Sequence, residues 1–461
     1  MQSPRITVPE SANVWTVLFF ISFLLSCNGP NEDPETVPAP DKEISQELTR
    51  FHQIIEHGSL EDLQQEIKDR IDVNSPGENG KNALMVAIAA KDLQKMTLLI
   101  ESGADPELTD EFNATALRHA VQANFLEGVR YLLNMGVDRG YHPKYPLKKI
   151  DYSMDHIDNF EIPEEFKGLM TEEEWKESLQ DTKEYMAELG QNPTIEPIIS
   201  DVYDVEILKL FLEAGDDLNQ TSSEMKRLYV GLLNEGDFQA SPEDFQKHKS
   251  PRYGTTNPTR MDNPFWKDMI RIGGNAYIAR EHFKAPGPFE VPGAVWCYDR
   301  FGSSITQLAD GRFVQIAGEH EDHYDPDFYI YNDVVIHDSK GGMEIYGYPK
   351  NVFPPTDFHT ATLVKDRIYI IGCLGYPEQR KVSKTPVYQL QLDTWKIEPV
   401  KTSGAMPGWI FNHRAKYEVT KNVIQIEAGD LEILDINNEL ETVPNEERYE
   451  LDLSTFQWRK R

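Results

Sequence analysis

Two hydrophobic rhythms divide the chain. From Thr49 onward apolar positions recur every 33 residues: Phe51, Leu84 and Leu117 form one series and Leu63, Met96 and Val129 another, with Asp72, Asp105 and Asp138 marking the turn after each unit. Apolar residues keep helical spacing within a unit, which predicts two helices each, with Gly58, Lys91 and Asn124 at the turn between them. Faces this short bury themselves only against a neighbouring unit, so the pattern predicts a stack over 47–233. A fourth unit is expected around Leu210 to Asn219 (LFLEAGDDLN), with the helix at Glu224 to Leu233 as its cap. Thr194 falls 79 residues after Thr115, one period plus an insertion at roughly 147–192. Insertions in stacked repeats map to loops. In this one Thr171 to Glu174 reads as a helix start, Trp175, Leu179, Met186 and Leu189 keep helical spacing, and Gly190 with Pro193 ends the helix.

The second rhythm belongs to strands. Val314 to Gly318, Ile368 to Gly372 and Ile424 to Ala428 align at steps of 54 and 56 residues. A polar turn precedes each (Asp310-Gly311, Asp366-Arg367, Lys421-Asn422), and before each turn lies another apolar run. After each comes a variable loop and a return run, at 333–338, 388–395 and 449–458. This is the pattern of a four-stranded sheet repeated three times over 293–461. The region between the two rhythms, 234–292, is rich in polar residues and proline and reads as a linker carrying helices, one of them starting at Asn263-Pro264 and resuming after Gly273-Gly274.

The first rhythm resembles ankyrin repeats. The repeat signature stands here as Asn82-Ala83-Leu84-Met85-Val86-Ala87 and Thr115-Ala116-Leu117-Arg118-His119-Ala120, in weaker form as Thr49-Arg50-Phe51-His52, and the turn as Gly103-Ala104-Asp105 and Gly136-Val137-Asp138; the signature proline is absent throughout. The second resembles kelch repeats, in Asp366 to Gly372, in Asp357-Phe358-His359-Thr360 and in Leu392-Asp393-Thr394-Trp395, although the second glycine of the kelch pair is replaced at each copy. Together the resemblances imply an α+β multidomain chain, an N-terminal α-helical ankyrin solenoid followed by an all-β kelch-like partial propeller. Three units are fewer than the four to eight of closed propellers, so the exposed edges need cover. The cover is expected within the chain, from the helices at 263–283 or strands at 289–296, with closure by a second copy as the alternative.

At the N-terminus Val14 to Leu25 is an apolar run of twelve, short for a membrane span and long enough for the core of a signal peptide. Leu24-Leu25-Ser26-Cys27 resembles a bacterial lipobox, which implies a signal peptide over 1–26, lipidation of Cys27, a proline-rich acidic tether over 27–46, and a lipid-anchored place in the bacterial cell envelope facing the periplasm or exterior. A cleaved secretory signal with an incidental cysteine, or a plain N-terminal anchor, are the other readings.

Charge and side-chain chemistry narrow the function. A formal net charge of −31 argues against sequence-independent nucleic-acid binding, which needs clustered Lys and Arg, and nothing in the chain is globally basic. The inserted segment carries thirteen acids against five bases, a solvated face or a surface for a basic partner. Of three cysteines, Cys297 and Cys373 form either a disulfide or two buried free thiols; no zinc spacing is present. The densest set of ligand-type side chains is the loop of Glu319, His320, Glu321, Asp322, His323, Asp325 and Asp327, which Asp357 and His359 of the next unit could join. Such donors suit a structural calcium or zinc ion, a catalytic metal, or simply a charged surface loop bonded to itself. No catalytic residue is assigned and no cofactor is required. The function these features imply is a membrane-anchored scaffold for a protein partner. The alternative is a carbohydrate-binding protein or metal-dependent enzyme acting at the kelch-like face.

Overall fold

The protein is described here by a computed structural model covering residues 42–68, 71–150, 171–191, 193, 196–232, 236–320, 326–338 and 340–461. The chain divides after Asp216 into two compact units. The signal-peptide run, Cys27 and most of the tether lie outside the described residues, and among those described no helix is long and apolar enough to cross a membrane.

The first unit is a stack of helix pairs: α1 (Lys42–His57) with α2 (Leu60–Lys68), α3 (Ala83–Ala89) with α4 (Leu93–Glu101), and α5 (Ala116–Gln122) with α6 (Leu126–Met135), followed by α7 (Glu172–Gln191) and α8 (Val205–Glu213). Phe51, Leu84, Leu117, Leu63, Met96 and Val129 are all buried at 1% exposure or less, as neighbour-facing positions must be. The start of the second and third units is a helix cap: the Met85 amide donates to Asn82 and the Arg118 amide to Thr115. Thr49 differs, because α1 runs straight through it. The marker aspartates recur for a local reason: each folds back to accept the amide two residues on, at 3.0 Å in Asp72, Asp105 and Asp138 alike. Neighbouring turns are then laced together, since Asn74 accepts the Asp105 amide and Glu107 the Asp138 amide, both at 2.8 Å. In the fourth unit the first helix shrinks to a single turn, Ile198–Asp201. Thr194 falls outside the described residues. The helix α7 of the inserted segment buries Trp175 and Leu179 and continues through Gly190 to Gln191.

The second unit begins with α9 (Ser223–Tyr229), so this helix belongs with the β structure, where a cap for the repeats was expected. Next come α10 (Pro242–His248), β1 (Thr259–Arg260), α11 (Pro264–Arg271) and α12 (Ala276–His282). The segment read as a linker is thus packed: Phe245 stacks on Phe283 at 4.5 Å and meets Phe265 edge-on, while Trp266 stacks on Trp296 at 4.8 Å. Aromatic residues from separate elements converge here on a core that the polar and proline content of the intervening loops conceals in the sequence.

Among the described residues eighteen further strands follow. The first sheet joins β2 (Ser304–Gln307), β3 (Phe313–Ile316), β6 (Val334–His337) and β7 (Met343–Gly347), with the short pair β4 (Glu319–His320) and β5 (Tyr329–Ile330) in its loop. The second joins β8 (Thr360–Val364), β9 (Arg367–Ile371), β10 (Val387–Gln391) and β11 (Ile397–Pro399). After β12 (Ser403–Gly404) and β13 (Trp409–Phe411), the third joins β14 (Arg414–Glu418), β15 (Val423–Glu427), β18 (Tyr449–Asp452) and β19 (Gln457–Lys460). A hairpin of β16 (Asp430–Leu434) and β17 (Leu440–Pro444), paired to β13, rises from its loop. All three are four-stranded antiparallel meanders in the order of the chain, as the sequence period predicts. Left-handed residues recur with them: Gly302, Phe358 and Asn412 before the first strand, then Gly318, Gly372 and Gly429 after the second. Chain passes closely at these places. A Cβ on Gly302 would sit 2.5 Å from the Phe358 amide, and one on Gly372 2.3 Å from the Ile410 carbonyl.

The sheets pack face to face. Ile316, Val314, Val334 and Ile336 of the first meet Ile368, Ile370, Leu390 and Ile397 of the second, and the opposite face of the second, with Ile371 and Val387, meets Ile424, Ile426, Leu451 and Trp458 of the third. Trp395 and Trp458 are both buried in these layers, yet they are not equivalent: the left-handed turn residue Trp395 corresponds to Phe456, and Ile397 pairs with Leu390 as Trp458 does with Leu451. Exposed edges are covered within the chain, by other segments than those expected. Thr259–Arg260 pairs with β7, Ser403–Gly404 with β19, and Asn219 bonds both the amide and the carbonyl of Ile305 on β2.

A buried ion pair fastens the first sheet to the segment before it. Arg300, with no side-chain exposure, donates to Asp333, to the Cys297 carbonyl at 2.7 Å and to the Ala317 carbonyl at 3.0 Å, while Asp333 also accepts the Trp296 indole N–H at 2.7 Å. Asp333→Asn keeps the volume but strands a buried cation, and we expect it to cost ~3–5 kcal/mol in urea unfolding, with Arg300→Met in the same chain recovering part of the loss.

Buried histidines tie the first strands together. His359 Nε2 bonds the Ser304 hydroxyl and His413 Nε2 the Thr360 hydroxyl, each at 2.8 Å. Burial pulls His359 and His413 down to about 3 and His337 to about 4, from an ordinary 6.5. The folded state therefore binds fewer protons than the unfolded one below pH 6.5, and stability falls with acidification through that window until about pH 3–4. Each histidine is expected to contribute ~1.4 kcal/mol per pH unit there. Thermal melting between pH 7 and 4.5 checks this: the His359→Gln/His413→Gln chain is expected to lose less on acidification than the parent.

Candidate functional site

The loops that leave the second strand of each sheet, 318–333, 372–386 and 429–448, are where the chain varies most between units. The first two are tied to the segment between them, the Gly318 amide donating to the Thr356 carbonyl and the Leu374 amide to the Asp357 carbonyl, and to each other, the Ile330 amide donating to the Tyr376 hydroxyl at 3.0 Å. The strand pair β4 and β5 stiffens the first loop and fixes Glu319 and His320 on it.

This scaffold brings Glu319 against Asp357. Asp357 is fully buried and accepts the Gly375 amide at 2.6 Å, and the Glu319 side chain bonds it. Burial raises the Asp357 carboxyl above its usual range, with the Gly375 amide, Glu319 and the nearby Arg380 pulling the other way. Two carboxyl groups in contact are stable when one of them keeps its proton. Arg380 continues outward, donating to the Gly375 carbonyl and to the buried Glu432 at 3.0 Å. On the other side Tyr329 stacks on Tyr253 at 5.7 Å and meets Tyr331 edge-on at 5.1 Å, and Phe328 meets Tyr376 edge-on. The rim thus combines a paired carboxyl with a run of aromatic rings.

The other predicted residues disperse. His320 is buried, 3.9 Å from Asp327, which is held by Arg280 at 3.2 Å. His359 turns inward to Ser304 and leaves the rim. Glu321, Asp322, His323 and Asp325 lie outside the described residues. Among the described residues no group of three or more His, Cys, Asp and Glu side chains is arranged to hold a metal ion. Cys297 and Cys373 are both free and buried: the Cys297 thiol bonds the Val295 carbonyl at 3.2 Å, and burial raises the Cys373 thiol well above its usual range beside Asp357. Tyr376, Arg380, Tyr253 and Arg280 were missed by sequence reasoning. No motif marks them, because each reaches the rim from a different segment.

The comparisons with known proteins bear on the first unit. Residues 51–141 match the family model described as ankyrin repeats, in three copies. This stretch is built of ankyrin repeats. The chain is also similar to an L-asparaginase of Dirofilaria immitis, 35% identical over 68 residues, which span 15% of this chain and 12% of that protein.

Replacement of Asp357 tests the carboxyl pair. Asp357→Asn keeps the acceptor for Gly375 and offers Glu319 a permanent donor, so it is expected to leave stability at neutral pH unchanged or raised, whereas Asp357→Ala is expected to cost ~1–3 kcal/mol. A raised carboxyl in the folded state means stability is lost as pH climbs above the ordinary aspartate value of 3.8 towards the folded one, so the advantage of the asparagine should grow as pH rises from 3.8 in chemical denaturation.

Proposed function

We propose that the protein is a scaffold that holds a protein partner at a membrane surface. The observation that carries this is the run of ankyrin repeats at 51–141, whose stacked units support a role in protein–protein interaction. The turns between units project side chains such as Phe112, which is 46% exposed though aromatic. On this reading the three-sheet region is a kelch-like partial propeller offering a second surface, and Cys27 carries the lipid that anchors the chain in a bacterial cell envelope, on the periplasmic or outer side. Period, sheet order and the resemblance of the N-terminal run to a lipobox support these parts.

A second reading has its own support. Paired carboxyls beside stacked tyrosines suit a glycan, whose hydroxyls bond to carboxylates and whose apolar faces lie on rings. It keeps the rim as a carbohydrate site or the centre of a metal-dependent enzyme, with structural calcium or zinc as the ion to try.

Photocrosslinking separates the two. With a photoreactive residue in place of Phe112, the full chain is expected to capture one defined protein in its host, and Phe112→Glu to lose that protein in an affinity capture. Glycan binding that vanishes with Tyr329→Ala while Phe112→Glu retains it would favour the second reading. Cys27→Ser is expected to move the chain from the membrane to the soluble fraction.

A further inference from the structure

The hairpin of β16 and β17 takes no part in the carboxyl pair; its inner strand is paired to β13 and packs Leu431 against the core, and its outer strand lies beyond. Between Lys421 and Arg448 the chain carries eight acids and no Lys or Arg. Three of the acids are matched: Glu427 by Arg414 and Arg448, Glu432 by Arg380, and Glu447 by Lys460. Glu439, Glu441 and Glu446 have no cationic partner among the described residues. The same hairpin exposes apolar side chains at its tip, with Ile436 fully exposed, Leu434 at 47% and Leu440 at 41%.

Its outer strand has an open edge. β17 pairs with β16 on one side, from Asp430↔Pro444 to Leu434↔Leu440. At the turn the Asp435 amide donates to the Glu439 carbonyl, and at the base the Asn445 amide donates to Gly429. Antiparallel bonds alternate along a strand, so Glu439, Glu441, Val443 and Asn445 spend their backbone groups on β16. The amides of Leu440 and Thr442 and the carbonyls of Leu440, Thr442 and Pro444 point away from it. Edges of this kind accept an added strand unless something repels it. What repels here is negative charge, which turns away a second copy of this acidic chain and favours a cation.

We propose that β17 is a docking edge for a basic, extended segment of a partner protein. The segment adds alongside Leu440 to Pro444, bonding the outward backbone groups, placing Lys or Arg beside Glu439 and Glu441, and covering Leu440 and Ile436 with an apolar residue. This surface lies in the second unit and is separate from the ankyrin reading, which stands or falls on other residues.

The test uses the full chain and a fluorescent peptide of alternating lysine and valine, read by anisotropy at low salt. Binding is expected. It is expected to weaken about tenfold when Glu439→Lys and Glu441→Lys are combined, since each change removes a solvent-exposed ion pair, a weak contact on its own. It is expected to vanish when the peptide is N-methylated at alternate residues along either edge, a change that keeps its charge and removes strand pairing. Absence of binding, equal binding of the methylated peptide, or equal binding of an alternating glutamate and valine peptide would each overturn the proposal. So would a dimer seen by light scattering without peptide and strengthened by Glu441→Lys, because the edge would then serve a second copy. Loss of the edge in any of these ways leaves capture through Phe112 unaffected.

Discussion

The second unit depends on a charge it can bury only by satisfying it completely. A guanidinium out of water must be bonded at its donors and balanced by an anion, or the desolvation cost falls on the fold. Arg300 meets that demand with Asp333, two backbone carbonyls and the faces of Tyr331 and Trp296, whose ring centroids lie 3.5 Å and 4.9 Å away. Satisfying it sets much else. Trp296 is oriented by Asp333, stacks on Trp266, and through the bond from Trp266 to the His248 carbonyl brings α10 and α11 onto the sheets. Asp333 in turn ends the loop on which Glu319 and His320 sit. The rim is therefore positioned by a contact on the far side of its own loop.

Sheets that stack need an end, and the two ends of this array are solved differently. The outer face of the first sheet is covered by the chain's own segments: Phe313 meets Tyr229 edge-on, and Gln315 donates to the Tyr298 carbonyl. The outer face of the third is closed by polarity. There Glu427 lies between Arg414 and Arg448, and Glu450 between Gln425 and Arg461. Alternate residues of β15 and β18 pack inward as Ile424, Ile426, Tyr449 and Leu451, so one period-two pattern supplies both the core face and the solvated face.

Periodic features were legible and convergent ones were not. The 33-residue series of Phe51, Leu84 and Leu117 and the repeated strand pattern survive in the structure because each is set by local geometry: a helix face or a pleat. The loop at 319–327 shows the opposite. Its acids and histidines suggested one cluster, but His359 is drawn inward by the Ser304 hydroxyl and His320 towards Asp327, while Glu319 finds Asp357. The aromatic core of Phe245, Phe265 and Phe283 was hidden for a related reason, since its members lie on three elements separated by polar loops.

By itself the sequence determined the repeats, their lengths, the caps at Asn82 and Thr115 and the turns at Asp72, Asp105 and Asp138, because these need only residues within a few positions of each other. The tertiary structure alone decided where the chain divides, which segments cover the sheet edges, and which of the ligand-type side chains meet. Those outcomes depend on contacts between residues tens of positions apart, such as Arg300 with Asp333 or Asn219 with Ile305, and composition along the chain carries no record of such pairings.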